Sequence, residues 1–543
     1  MQVHFDTGAG NAANYVPLTP VSFLNRAAAV HGARAAVVYG ARRDDWQTFA
    51  RRVRHVAGAL HARGIGKGDT VSVISPNIPE LLELHFAVPM IGAVLNTINF
   101  RLEAETIGYI FGHADTKLVI ADSTLGDHVQ ASFDMLGNTL PLITIYDDQG
   151  PDAGTSGEDA YASLLEGPTF EGDGLPDDEW QALALNYTSG TSGRPKGVVY
   201  HHRGAALMAM GTVNAWQVPH FPSYMSIVPM FHCNGWCHPW MMALVGGKMV
   251  FSRDLSPASV FAAIEAEKIT HFGAAPIILQ MLAESPDAPS AAYEPRIRVM
   301  TAGAPPPPAV LEKTGAMGLD VMQVYGLTET YGHISQCLWQ EDWNDLSPSE
   351  QAELQAHQGV AFPMVETVAV MDRETGDPVP TDGETQGEVA IRANTMMKAY
   401  YKDEAASAEA FQGGWFWSGD AAVVHPNGYM QIRDRLKDVI ISGGENISSV
   451  EVEAVLYRHP DVQAAAVVAK PDQKWGEVPC AYVELREGTN PSAEDIISFC
   501  RYHLAGFKTP KAVVFETLPK TATGKIKKFE LRQQARADAG TQG

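Results

Sequence analysis

The sequence predicts an α/β protein. It places a large N-terminal domain of parallel-sheet α/β subdomains, with a small β-rich subdomain, before a small α+β C-terminal domain. Three observations carry this. Apolar, β-rich runs alternate with helix-like stretches over the first two thirds of the chain. The texture changes near Val365 to short runs separated by Gly, Asp and Pro. A third, compact pattern follows Arg433–Lys437. Strands alternating with helices imply parallel sheets covered on both faces.

In chain order, "DTVSVIS" (Asp69–Ser75) and "TKLVIAD" (Thr116–Asp122) read as buried strands. "IPELLELHFAVPMIGAV" between them reads as an amphipathic or buried helix. "SYMSIVPM", "GKMVFS", "ITHFGAAP" and "IRVMTAG" repeat the alternation, with helical patterns such as "PASVFAAIEAEK" between them. "APPPPAV" (Ala304–Val310) is a rigid loop at a helix start. "VETVAVMDRETGDPVP" and "GEVAIRANTMMKAYY" read as hairpins or meanders of the β-rich subdomain. "SVEVEAVLYRHP", "VQAAAVVAK", "CAYVELR", "AEDIISFCRYHL" and "AVVFETLP" then form the α+β unit. The expected boundary divides residues 1–434 from 435–543.

Composition narrows the function. A chain of 543 residues exceeds one hydrophobic core, and 45% hydrophobic with 19% charged residues is a globular balance. A net charge of -23 excludes a general nucleic-acid or anionic-membrane binder, though not an anionic ligand in a local basic pocket. No signal peptide or stretch of 18 or more apolar residues is visible, and five sparse cysteines fit a reducing compartment. The expectation is a cytoplasmic enzyme.

"YTSGTSGRPKG" (Tyr187–Gly197) gathers three glycines, five hydroxyls and two cations. The common phosphate loop reads G-x-x-x-x-G-K-[ST]; here Lys196 follows Pro195, so the loop is not of that kind. Backbone N–H groups and hydroxyls in such a segment still suit an anion. A mobile Gly/Ser linker is the competing reading.

That loop, "VYGLTET" (Val324–Thr330), "WFWSGD" (Trp415–Asp420), "RDRLKDVIISGGENIS" (Arg433–Ser448) and "LPKTATGKIKK" (Leu518–Lys528) occur in one order. In that order and spacing they resemble the adenylate-forming acyl-CoA synthetases, relatives of luciferase and of peptide-synthetase adenylation domains. The resemblance spans about Phe23–Arg532. It implies two half-reactions. A carboxylate attacks the α-phosphate of ATP, giving acyl-adenylate and pyrophosphate; coenzyme A then displaces AMP.

The resemblance also implies roles. Thr188, Ser189, Gly190, Thr191, Ser192 and Gly193, with Arg194 and Lys196 as counter-charges, surround the β- and γ-phosphates. Glu329 and Thr188 hold Mg²⁺, a hard cation suited to carboxylate and hydroxyl oxygens. Tyr325 lies against adenine, joined by Gly326, Thr328 and the turn Gly303, Ala304 and Pro305. Asp420 accepts from the ribose hydroxyls and Arg435 donates to that ribose. Lys525 meets the acyl carboxylate and α-phosphate, completing a catalytic set with Glu329 and Thr188. Lys437 and Asp438 form the hinge of a mobile C-terminal domain. In the second state Lys437, Ser442, Gly443, Gly444, Glu445 and Trp475 face coenzyme A.

Substrate choice falls to "PMFHCNGWCHPW" (Pro229–Trp240), where His232 and Trp236 match acyl-pocket positions, together with Gly303 and Gly326. Phe231, Trp236, Trp240, Tyr331 and Trp339 suggest a short, closed pocket. The resemblance is strongest to short- and medium-chain ligases, particularly those for 3-(methylthio)propanoate, and implies a homodimer. A rival reading makes His232, Cys233, Cys237 and His238 a soft metal site, because i, i+4 pairs share a helix face. No C-x₂-C or second ligand pair is visible, however, and core packing of both cysteines is the preferred reading. A carrier-loading adenylation domain and a catalytically silent nucleotide sensor stay open as alternatives. Soon after Lys525 the chain ends, leaving no room for an attached carrier, and a silent sensor is expected to lack Glu329 or Lys525.

Overall fold

The computed structural model describes residues 11–147, 149–150, 160–188, 194–303, 306–443, 445–520 and 526–540, with Asn446 and Ala539 seen through the backbone alone. Among them the strands form four sheets. A seven-stranded sheet carries Leu142–Ile145, Thr116–Asp122, Thr70–Ile74, Val94–Thr97 and Ala182–Tyr187 as parallel neighbours. Gly197–His201 and Ala399–Tyr400 extend it antiparallel. A nine-stranded sheet has a parallel centre running Leu319–Leu327, Ile297–Thr301, His271–Ala274, Ser223–Met225, Lys248–Phe251 and Ala35–Tyr39, with antiparallel edges.

The β-rich segment is an antiparallel four-stranded sheet of Val365–Met371, Gly387–Ala393, Phe416–Val424 and Met430–Arg435. The last sheet holds Ile440–Ser442, Glu445–Ile447, Val462–Asp472, Gly476–Leu485 and Ala512–Phe515. Two apolar cores of its own, around Val467 and around Tyr482, serve that sheet and its helices.

The stretch after Ser75 becomes the helix Pro79–Met90, started by Pro79 and buried on every side, Glu83 and His85 included. Burial all round explains why its sequence shows no clean polar face. Its carboxylates are paired: Arg42 reaches Glu80 at 2.7 Å and Glu83 at 2.8 Å, and Arg52 reaches Glu83 at 2.6 Å. Burial would otherwise penalise these charges heavily.

Two polar staples join the α/β sheets near the ends of their strands. Asn77, just after Thr70–Ile74, donates to the Val228 carbonyl at 2.7 Å and accepts from Met230 N–H at 2.8 Å. Arg253, just after Lys248–Phe251, bridges the buried carboxylates of Asp122 and Asp147.

The basic run near the C-terminus finds acids from distant segments. Lys508 pairs with Glu451, Lys520 with Glu484, Lys528 with Glu453 and Arg532 with Asp438. Counting charges along the local sequence misses these partners. No described helix is long and apolar enough to cross a membrane.

Arg253→Met should destabilise the protein by about 3–5 kcal/mol, because two buried carboxylates lose their counter-charge. Urea unfolding at pH 7 measures this, and the loss should shrink at acid pH as the carboxyls protonate. A loss below about 1 kcal/mol would remove Arg253 as a staple between sheets.

Candidate active site

Ligands of open α/β sheets gather beyond the carboxyl ends of strands. There the strand Ala182–Tyr187 delivers Thr188, and Leu319–Leu327 delivers the 3₁₀ turn Thr328–Thr330. The roots of the hydroxyl-rich loop are zipped together. Thr188 N–H donates to the Lys196 carbonyl at 3.0 Å, and Lys196 N–H to Thr188 Oγ1 at 3.4 Å. Ser189, Gly190, Thr191, Ser192 and Gly193 lie outside the described residues, as do Ala304, Pro305, Gly444 and Lys525.

Lys196 Nζ sits 4.7 Å above the Tyr400 ring. The Tyr400 hydroxyl donates to Glu329 Oε1 at 2.8 Å. Burial, then the Glu329 charge, raise the Tyr400 phenol above its usual range. A second tyrosine fixes the neighbouring backbone: Tyr200 donates to the Thr328 carbonyl at 2.6 Å and stacks on Tyr331 at 3.6 Å between ring centres. Thr188, Lys196 and Glu329 thus converge, joined by Tyr400. Sequence reading missed Tyr400, which sits in a two-residue strand beside Gly197–His201 with no motif around it.

Gly326 is required by packing. A Cβ there would lie 1.9 Å from the Gly332 carbonyl oxygen, where the hairpin Leu319–Leu327/Gly332–Gln336 shifts register. Gly303 has a positive φ of 95° and open space around it.

The second cluster sits on the four-stranded sheet. Asp420 and Arg435 are cross-strand partners, and Arg435 Nε reaches Asp420 Oδ1 at 2.8 Å. The Tyr325 hydroxyl donates to Asp420 Oδ2 at 2.5 Å. Here the tyrosine expected against adenine also holds this carboxylate, with Asp420 only 3% exposed. Burial works most strongly against the Arg435 charge, but Asp420, with Tyr325, Glu329 and Tyr400 adding to it, raises the guanidinium pKa overall. At Lys437 the same carboxylate does not suffice. Burial, then Arg435 and Arg532, lower its amine from 10.5 to about 8.

Of the expected coenzyme A residues, four cluster on the last sheet. Ser442 pairs with Gly476, Gly443 N–H donates to the Trp475 carbonyl at 2.8 Å, and Glu445 follows in the hairpin. Gly443 has a φ of 61°, and a Cβ would meet the Trp475 ring at 2.8 Å. Lys437 belongs with Arg435 and Asp420 instead. Asp438 pairs with Arg532.

The acyl segment departs from a helix. Cys233, Asn234, Gly235, Trp236 and Cys237 have φ of 41°, 42°, 61°, 57° and 60°, a left-handed run of five. Each L-residue there costs roughly 1–2 kcal/mol, less for Asn and nothing for Gly. The run thus costs on the order of 4–6 kcal/mol, much of a domain's net stability. Burial offsets it: all five side chains or backbones are buried, Trp236 at 7% exposure. The Trp236 ring packs on Gly273 and edge-on against His333 at 5.0 Å. His232, just before the turn, is exposed.

This geometry corrects the shared helix face on which a soft metal site depended. Cys233 Sγ faces Thr328 Oγ1 at 3.9 Å, and Cys237 Sγ the Tyr331 carbonyl at 3.4 Å. His238 Nδ1 pairs with the Tyr224 hydroxyl at 2.8 Å. Among the described residues no group of three or more His, Cys, Asp or Glu could hold a metal. Burial pushes the Cys233 thiol up to about 12, as for an inert core cysteine. Trp339 also leaves the expected aromatic group: it is partly exposed and packs edge-on against Trp343.

Fold and clusters define a nucleotide-dependent enzyme of two unequal parts. The AMP-binding enzyme family matches residues 24–401, and the AMP-binding enzyme C-terminal domain matches 451–525. An acetate–CoA ligase of Humulus lupulus is 45% identical over 97% of this chain and 96% of its own. A peroxisomal acetate/butyrate–CoA ligase of Arabidopsis thaliana is 45% identical, covering 96% and 95%. A Mycobacterium tuberculosis fatty acyl CoA synthetase structure superposes with a TM-score of 0.71 at 29% identity, covering 96% and 99%. The chain belongs to the AMP-binding enzyme family. Within it, the protein is an acid–thiol ligase, an AMP-forming acyl-CoA synthetase using ATP and coenzyme A. This sets aside the carrier-loading domain and the silent sensor.

Two outcomes follow from the geometry. Gly326→Ala should cost about 3 kcal/mol, the upper range for overpacking, since backbone cannot yield as a side chain can; thermal melting checks this. A lysine lowered to about 8 is neutral above that pH when folded but charged until about 10.5 unfolded, so it favours folding more as pH rises through this window. Amine-acylating reagents should therefore label Lys437 with a midpoint near pH 8, read by peptide mass spectrometry. A midpoint above 10 would overturn the buried, cation-flanked setting.

Proposed function

We propose that the protein activates short carboxylic acids, straight or branched, with 3-(methylthio)propanoate among them. The observation that carries the nucleotide half is the convergence of Thr188, Lys196 and Glu329 at the root of the loop. Lys196 and the hydroxyl-rich loop take the β- and γ-phosphates. Tyr325, Gly326, Thr328 and the turn from Gly303 take adenine. Asp420 and Arg435, pre-paired, exchange part of their mutual bonding for the ribose hydroxyls.

Glu329 and Thr188 offer a carboxylate and a hydroxyl, a donor set that fits Mg²⁺. When bound, Mg²⁺ supplies positive charge to phosphate oxygens. Lys525 donates to the carboxylate and α-phosphate, and Ser442, Gly443, Gly444, Glu445 and Trp475 receive pantetheine after the part beyond 434 turns about Lys437–Asp438. The wall of the acyl site is Trp236, with His232 at its mouth. A ring fixed in a left-handed turn supports a length limit, and the relatives named for acetate and butyrate agree with short acids. A thioether packs readily against aromatic rings. All five cysteines are free and buried, in keeping with a reducing compartment, for which we take the cytoplasm. The assembly we infer is a homodimer.

Purified protein with ATP, Mg²⁺, coenzyme A and single acids tests this by AMP and thioester formation. Acetate, butanoate, 2-methylpropanoate and 3-(methylthio)propanoate should turn over well, and octanoate poorly. Octanoate as the best acid would refute the short site. Lys525→Ala should lower adenylation by about 10²–10³ while sparing thioester formation from preformed acyl-adenylate; equal losses would remove its assignment to the first step.

A further inference from the structure

The left-handed turn is held by polar side chains that the nucleotide chemistry leaves unused. Asn234 N–H donates to Asn186 Oδ1 at 3.0 Å. Asn186 stands in the strand Ala182–Tyr187, and its amide nitrogen donates to Thr97 Oγ1 at 3.2 Å. Asn234 Nδ2 reaches the same oxygen at 3.5 Å, and that hydroxyl donates to the Phe231 carbonyl at 3.3 Å. Thr97 therefore uses one donor and both acceptor positions, all a hydroxyl possesses. From the turn between Leu319–Leu327 and Gly332–Gln336 in the other sheet, the Tyr331 hydroxyl reaches Asn234 Oδ1 at 3.5 Å.

These side chains are buried, with Asn186 at 2%, Thr97 at 3% and Asn234 at 0% exposure. Polar groups at that depth are costly unless fully bonded, and when bonded they specify one arrangement. Apolar packing lacks that direction. The network grips the backbone of the turn at Phe231 and Asn234, on the chain entering Trp236.

We propose that Asn186 and Thr97 are positioning residues for acid length, locking the turn so that the Trp236 ring stands at one depth. This rests on Trp236 being the wall of the acyl site. Neither residue touches substrate. Loosening them lets the ring retreat, so longer acids gain relative to acetate.

The test measures kcat/KM for acetate, butanoate, hexanoate and octanoate, KM for ATP, and melting temperature. Thr97→Val removes the hydroxyl at constant shape; Thr97→Ser keeps it. Asn234→Gly accepts the positive φ but loses the amide, and serves if Thr97→Val folds poorly. Thr97→Val and Asn234→Gly should raise the hexanoate-to-acetate ratio of kcat/KM at least about fivefold, with KM for ATP within about threefold. Thr97→Ser should keep the wild-type ratio, and Trp236→Ala should show the same shift as Thr97→Val. If only Trp236→Ala shifts the ratio, the wall stands and the positioning role is wrong. If Trp236→Ala leaves it unchanged, the wall itself is wrong and the proposal falls with it. An equal loss for every acid, with a lower melting temperature, makes the network purely structural and overturns the proposal.

Discussion

Five consecutive residues in the left-handed region, Cys233–Cys237, are the constraint around which the centre of the protein is arranged. A right-handed turn would direct Cys233 and Cys237 to one face. The left-handed one sends their thiols toward Thr328 and Tyr331, the turn that bears Glu329. It also draws on both large sheets, through Asn186 and Thr97 on strands of one and Tyr331 in a hairpin turn of the other. A backbone this unfavourable persists only where its surroundings over-determine it. The turn that carries Trp236 and the turn that carries Glu329 therefore share one seam.

Charge is distributed on the same local logic. The chain carries -23 overall, yet Lys196 lies over the Tyr400 ring beside Glu329, and Arg435 and Lys437 stand together near Asp420. Burial disfavours the Arg435 charge, but Asp420 at 2.8 Å, together with Tyr325, Glu329 and Tyr400, more than compensates. Lys437, beside Arg435 and Arg532, is held near 8. Burial disfavours both charges; the acids and phenols around Arg435 overcome it, whereas Arg435 and Arg532 add to it at Lys437, so the two cations are shifted in opposite directions. Net charge governs what the surface attracts; individual pairs govern the site.

Glu329 was readable because it stands in a contiguous island, "YGLTET", and its hairpin needs a glycine at Gly326. Its partner Tyr400 was not, since 71 residues separate them and a lone "AYY" has no signature. The same holds for Asn186, which touches Asn234 across 48 residues. Trp339 misled for the opposite reason: an aromatic near in sequence to Tyr331 turned outward to Trp343.

By itself the sequence determined the alternation of strands and helices, the change of texture near Val365, and the islands whose chemistry depends on neighbours a few residues apart. Hydrophobic period, turn residues and loop motifs are local, so they survive as text. Only the tertiary structure decided that the cysteine pair lies on a left-handed turn, that the basic tail is paired with distant acids, and which tyrosine holds Glu329. Those depend on long-range partners and on backbone strain stabilised by burial, and no window of sequence contains either.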